Sequence, residues 1–282
     1  MTSKFLTAAA AALMATVATP AFAQDTGEEK QFDGPYIGVS GGYDVQGNDV
    51  GAAIGFDRDG NGTFQDPVTT FPAGADAFST GYCNGRAQGA TRAPQGCEND
   101  RNRASYYARI GFDKQMGPFV VGLVGEFGKT EIVDYTSAFS TTPANYVFSR
   151  SVDWEASGGV RAGFAADRVL FYGVGKFGYA RLDHRFTTTN TQNSFTTIVD
   201  DRDRKGFIVG GGVEAKLTRN ISIGLEYSYH DYKDSDYKIL VGQGTALATN
   251  PFVRAPFTTT VLRRQDDNFR WHSLRGTIGF RF

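Results

Sequence analysis

The stretch that most limits what this chain can become is its last one, Arg270 to Phe282 (RWHSLRGTIGFRF). Side chains of a strand alternate between its two faces. On that period His272, Leu274, Gly276, Ile278, Phe280 and Phe282 share one face, and Trp271, Ser273, Arg275, Thr277, Gly279 and Arg281 the other. One face is mostly apolar; the other carries two guanidinium groups. Such a strand needs an apolar medium on one side and a polar, charge-satisfying one on the other. A packed core supplies the first to a soluble sheet, and acyl chains supply it to a strand that crosses a bilayer.

At the other end, Lys4, the apolar run Phe5 to Ala18 and the small-residue site Ala21-Phe22-Ala23 read as an export signal over residues 1–23, cleaved before Gln24. Residues 24–34 are then a short N-terminal periplasmic segment, and 35–282 form one β domain. After the signal no run of about 18 apolar residues occurs, so any membrane crossing has to use strands, closed into a barrel. The formal charge of −1 offers no basic field for nucleic acid. Glycine is frequent, at 35 of 282 residues, and recurs beside aromatics. A tightly curved sheet needs such bare positions; a glycine-rich β-sandwich is the soluble alternative.

About eight alternating segments can be traced. Tyr36–Asp44 sets Ile37, Val39, Gly41 and Tyr43 against Gly38, Ser40, Gly42 and Asp44. Residues 103–115 and 119–131 flank the turn Met116-Gly117-Pro118, residues 152–165 and 169–183 flank Ala166-Asp167-Arg168, and residues 205–217 and 221–231 flank Thr218-Arg219-Asn220. The segments run to ten or more residues, longer than strands of most soluble sheets and suited to a tilted crossing. Between the pairs lie long polar stretches near 45–102, 132–151, 184–204 and 232–269, all at one end. The expected fold is all-β: an eight-stranded antiparallel up-and-down transmembrane β-barrel with short periplasmic turns and long surface loops.

The export signal, the opening PYIGVSGGYD (Pro35 to Asp44), the paired strands with turns MGP, ADR and TRN, and the closing GTIGFRF (Gly276 to Phe282) resemble the small outer-membrane β-barrel family. This family includes the OmpA-like transmembrane domain and the opacity-protein-like surface antigens of Gram-negative bacteria. The resemblance covers nearly the whole chain after the signal. It implies a monomer in the cell outer membrane, in contact with lipid and lipopolysaccharide, meeting an unidentified extracellular partner through its surface loops. It also implies that Ile278, Phe280 and Phe282 are read by the barrel-assembly machinery during biogenesis. No periplasmic domain follows the last strand, so the peptidoglycan anchoring of full-length OmpA proteins is not expected.

On the face assigned to the lumen stand Arg109, Arg161, Lys176, Lys216, Arg275 and Arg281, with Asp113, Glu126, Asp153, Glu155, Glu214 and Glu226. Cross-strand pairing of these charges would plug the bore; left to water, they would line a narrow pore for small solutes. Tyr106, Phe119, Trp154, Phe164, Phe171, Tyr227, Phe280 and Phe282 are expected in the interfacial girdles. In the first long stretch, Asp57, Asp59, Asn61 and Asp66 follow the first half of a calcium loop, with Gly62 at its sharp turn but Val68 where the bidentate Glu belongs. The alternative is an ordinary Asp/Asn/Gly turn cluster, with no cofactor. Cys83 and Cys97, the only cysteines, suggest a disulfide in an exported chain, or else a metal or redox pair. No catalysis is expected. A lipid-modifying enzyme would need a reachable nucleophile, and Ser228, His230 and Glu226 share a face that points inward.

Overall fold

The structure is a computed structural model and describes residues 31–47 and 53–282. The expected export signal and residues 24–30 lie outside these. No α-helix occurs among the described residues. Eight long strands form the frame: β1 (Gly34–Val45), β2 (Arg103–Met116), β3 (Phe119–Thr130), β4 (Ala144–Ala166), β5 (Val169–Thr188), β6 (Asp203–Lys216), β7 (Ile221–Lys233) and β8 (Asn268–Arg281). Each pairs antiparallel with its neighbours in chain order. The ring then closes between the ends of the domain, β1 against β8, from Tyr36 opposite Arg281 to Val45 opposite His272. Every barrel strand is thus paired along both edges, which is what a sheet in lipid requires.

The alternation places the side chains inside out relative to a soluble domain. Phe177 is 83% exposed on the outer surface, whereas Arg161 is 2% exposed within. On β3 the outward residues Phe119, Val121, Leu123 and Phe127 are all exposed, and the intervening Val120, Val124 and Glu126 are buried. The short turns explain their own sequences. Gly117 (φ 60°) and Asp167 (φ 51°) occupy the left-handed region, which glycine and, among the others, aspartate tolerate best.

Glycine and tyrosine also recur together for a reason that curvature alone does not give. Tyr36, Tyr107, Tyr172 and Tyr232 face the bore, and their direct cross-strand partners are Gly111, Gly128, Gly212 and Gly206. Each ring lies over the bare backbone of its partner, where a Cβ would collide with it. The pairing lets large rings lie flat against the wall of a narrow bore.

The stretches expected as surface loops are largely folded. β4 and β5 have 23 and 20 residues against 12 to 14 in the other barrel strands, and they continue past the barrel rim. There β4 also pairs with the strand Val133–Ser140, which in turn pairs with Tyr82–Asn84. A separate sheet, ordered Ser194–Val199, Lys238–Gly242, Thr260–Arg264 and Ile54–Asp57, packs against this extension. One apolar core joins the two, with Ile54, Phe56, Ile239, Val241 and Leu262 meeting Ala138, Tyr146 and Phe148. The barrel therefore carries a small β-sandwich head.

Candidate functional site

From the turn end upward the bore is filled in layers. At the bottom Phe32, just ahead of β1, is fully buried among Val120, Val124, Leu170 and Tyr172. Arg281 holds it there, donating to the carbonyls of Phe32 (3.2 Å) and Gly34 (3.0 Å), and the Phe32 N–H donates to Gln115 Oε1 at 2.8 Å. The described end of the segment expected to lie outside the domain is thus a stopper in its mouth.

Above it, Arg161 donates to Asp113 (2.8 Å) and Glu214 (2.9 Å), and Arg281 reaches Asp113 at 2.6 Å. The Arg161 guanidinium sits over the rings of Tyr36 and Tyr172, 4.6 and 5.1 Å from their centroids. Lys216 donates to the Arg219 carbonyl at 3.1 Å and lies over Phe32. In the next layer Arg109 bridges Glu126 (2.8 Å) and Glu226, Lys176 pairs with the same two carboxylates, and the Tyr172 hydroxyl donates to Glu226 at 2.7 Å. Arg275 lies 3.7 Å from Glu126 and 4.2 Å from the centre of the Tyr107 ring.

Higher still, Glu155 accepts from Tyr107 and Tyr232 and lies 2.9 Å from His230 Nδ1; His230 Nε2 lies 3.0 Å from Ser228 Oγ. The serine, histidine and carboxylate stand in the order of a catalytic triad. All three are 0% exposed, and Trp271 stacks on His230 with centroids 4.7 Å apart. The carboxylate is Glu155, from β4, not Glu226, which is taken by Arg109 and Lys176. A layer of Ile132, Val152, Leu182, Tyr232, Phe269 and Trp271 then closes the top of the bore.

Eleven of the twelve charged residues assigned to the lumen face are placed in this stack; Asp153 is not. Opposite it the register shifts, so that Arg181 faces Trp154 and Leu182 faces Val152. Asp153 is the extra residue of a bulge and is exposed. Asp44, buried on β1, restores the balance of six cations and six carboxylates, and accepts from Ser105 (2.8 Å) and Ser273. Alternation sets Asp44 with Gly38, Ser40 and Gly42, but the lumen set read from the sequence omits it; its serine partners on both neighbouring strands follow only from register.

A second ionic cluster lies between bore and head. Arg150, 1% exposed, donates to Asp134 (2.6 Å), Asp234 (3.3 Å) and Asp266 (2.7 Å), while Arg264 reaches Asp134 and Arg204 reaches Asp234. Burial pushes the Asp234 carboxyl up, but His184, Arg150 and Arg204 together hold it well below the usual carboxylate range. Sequence spacing gave no sign of this cluster, because its members come from six separate segments.

In the head, Cys83 and Cys97 form a disulfide with Cα atoms 6.6 Å apart, pinning the segment that includes Tyr82–Asn84. Asp57, Asp59 and Asp66 bring carboxylate oxygens within 4.8 Å of one another. All three accept backbone N–H bonds: Asp57 from Gly60 and Gly62, Asp59 from Asn61, and Asp66 from Arg58. Asn61 accepts from Thr63, and Val68 is buried in the head's core. These are the bonds of a turn cluster.

On the outside, rings cluster near both rims. Phe119 meets Phe164 at 6.1 Å and Phe280 meets Phe282 at 5.2 Å near the turns; Trp154 meets Phe127 and Tyr179 at 5.9 and 5.6 Å near the head. Tyr106, Phe171 and Tyr227 are exposed on the same surface, as is Ile278 on β8. A closed eight-stranded barrel with a ring-edged apolar belt and an ionic bore is the architecture of the small outer-membrane β-barrels.

No family model matches the chain. A 22 kDa outer membrane protein of Rhizobium leguminosarum bv. viciae is 28% identical over 143 residues, which are 50% of this chain and 59% of that protein. The aligned region therefore spans little more than half of that relative. Among solved structures, the outer membrane protein OprG from Pseudomonas aeruginosa is 13% identical, with 89% of this chain and 98% of that one covered and a TM-score of 0.49. Ail, the attachment invasion locus protein of Yersinia pestis, is 12% identical over 89% of this chain and 100% of that one, with a TM-score of 0.34.

Proposed function

We propose that this chain is a closed, non-catalytic barrel of the Gram-negative outer membrane that holds a rigid head at the cell surface for contact with an external partner, as a surface antigen or adhesin does. The filled bore carries this reading. Stopper, two ionic layers, a hydrogen-bonded His–Glu layer and an aromatic layer follow one another, each spanning the bore between facing strands. Charges paired this closely hold one another in place, because separating them leaves each short of a partner while buried. A solute would have to break every layer in turn. The apolar belt fits lipid and lipopolysaccharide acyl chains, and Ile278, Phe280 and Phe282 lie outward on the last strand, where an assembly factor could read them.

The test is a planar-bilayer recording on refolded protein. The expected result is no stepwise conductance above the lipid baseline; steady steps would instead favour the narrow-channel reading, in which the ionic bore conducts small solutes. Protease added to intact cells should reach head residues alone, and cleavage confined to the turn side would reverse the orientation.

A further inference from the structure

The far tip of the head contains a cavity of about 170 Å³. Its floor is three buried rings in mutual contact: Phe78 and Tyr146 lie 5.3 Å apart, Tyr146 and Phe252 5.6 Å, and Phe78 and Phe252 5.8 Å. They arrive from three distant parts of the chain, one of them the outer end of β4. Two turns, around Thr142 and Thr191, form an exposed rim. Among the described residues, no Asp, Glu, Lys, Arg or His side chain lines the cavity.

The amides beside the ring floor are already engaged, whereas the hydroxyls of Thr141, Thr142 and Thr191 stand on the exposed rim. Asn190 donates to the Tyr146 hydroxyl at 2.9 Å, and Asn190 and Asn250 each donate to Asn193 Oδ1, at 3.0 and 3.1 Å. These amides brace the wall. Burial raises the Tyr146 hydroxyl above its ordinary pKa, so the floor is uncharged at neutral pH.

This chemistry selects a ligand. A charged group entering the cavity would lose its water and gain no counter-ion, and a sugar would find its free partners on the rim, away from the ring floor. An apolar void of roughly 150 Å³ admits a benzene-sized molecule, and aromatic faces attract further rings edge-on or offset. We propose that the head's tip is a binding site for a small neutral aromatic molecule of one or two fused rings, seated on Phe78, Tyr146 and Phe252. Such a site would give the head a function beyond surface contact. It rests on the head being folded, and does not depend on which way the barrel faces.

Indole is a suitable probe, titrated calorimetrically into the refolded full chain in detergent, with benzoate as its charged counterpart. Saturable binding at one site is expected for indole, with benzoate at least about tenfold weaker. Ala144→Phe fills the cavity from its buried side, and Thr191→Trp covers it from the exposed rim without touching the core. Each should reduce indole affinity about tenfold or more while the head stays protease-resistant. Absence of saturable indole binding to a protease-resistant head would overturn the site, as would unchanged affinity in Thr191→Trp. Equal affinity for benzoate would overturn its neutrality. A head digested as readily as an unfolded segment would remove the premise, and that result is read from proteolysis alone.

Discussion

In the barrel, Arg161 is 2% exposed and Phe177 83%; in the head, Phe148, Val241 and Leu262 are fully buried while the side chains of Asp201 and Asp236 are 59% and 52% exposed. One chain thus follows two opposite burial rules within a short distance. Strand periodicity and backbone pairing are the same in both regions. What changes is the medium: the outer face of the barrel suits hydrocarbon, so its charges turn inward and must pair, whereas the head stands in water and collapses on its apolar side. The head's core is driven by burial of surface. Between its apolar stopper and its aromatic cap, the bore relies on ion pairs, stacked guanidinium groups and tyrosines laid across glycines.

The largest expected effect that would break this contrast is in the bore. Arg161→Ala leaves Asp113 and Glu214 short of a buried partner and should lower barrel stability by about 3–5 kcal/mol, read as the urea midpoint of the folded-to-unfolded gel shift in vesicles. A change under 1 kcal/mol would mean that water already screens the bore. On the outer face, Leu123→Arg should cost about 2–4 kcal/mol in a bilayer. Thr196→Lys on the head's surface should stay within about 0.5 kcal/mol; equal costs for the two would abolish the distinction between the media.

The disulfide sharpens the comparison by acting on one region alone. Replacing both Cys83 and Cys97 with Ser should loosen the head by up to about 3 kcal/mol, the value for a loop of about 15 residues. Faster proteolysis of residues 80–100 should result, with the barrel's midpoint unchanged; a falling barrel midpoint would show that the two regions fold as one unit.

The smallest expected effect is in pH. Asp234 is held below its ordinary carboxyl pKa, so its contribution to the junction is complete above the unfolded value of about 4 and is lost only as pH falls below that. The near-ultraviolet circular dichroism of the protein should therefore be the same at pH 5 as at pH 7, with any loss beginning only below about pH 4. Loss already at pH 5 would assign the junction to other groups.

Much of the barrel was legible because a period of two is local. The faces of β2, β3 and β7 follow from their own residues, and the turns announce themselves through Gly117-Pro118 and Asp167. The single misplaced charge, Asp153, sits where a bulge interrupts that period, and bulges depend on the partner strand. The head was hidden for a related reason. Segments such as Ile54–Asp57 and Lys238–Gly242 are only four and five residues long, too short for a pattern to separate them from loop, and they become strands by finding one another across the chain. The Ser228–His230 pair was visible, but its carboxylate partner was not, because Glu155 is 75 residues from His230.

The sequence by itself determined which side of each long strand must meet an apolar medium, because covalent geometry alternates side chains whatever surrounds them. Tertiary structure alone decided which carboxylate answers which guanidinium, which glycine receives which tyrosine, and that the stretches between strands build a second core. Those outcomes depend on strand register and chain closure, which relate residues far apart in sequence and leave no trace in any one segment.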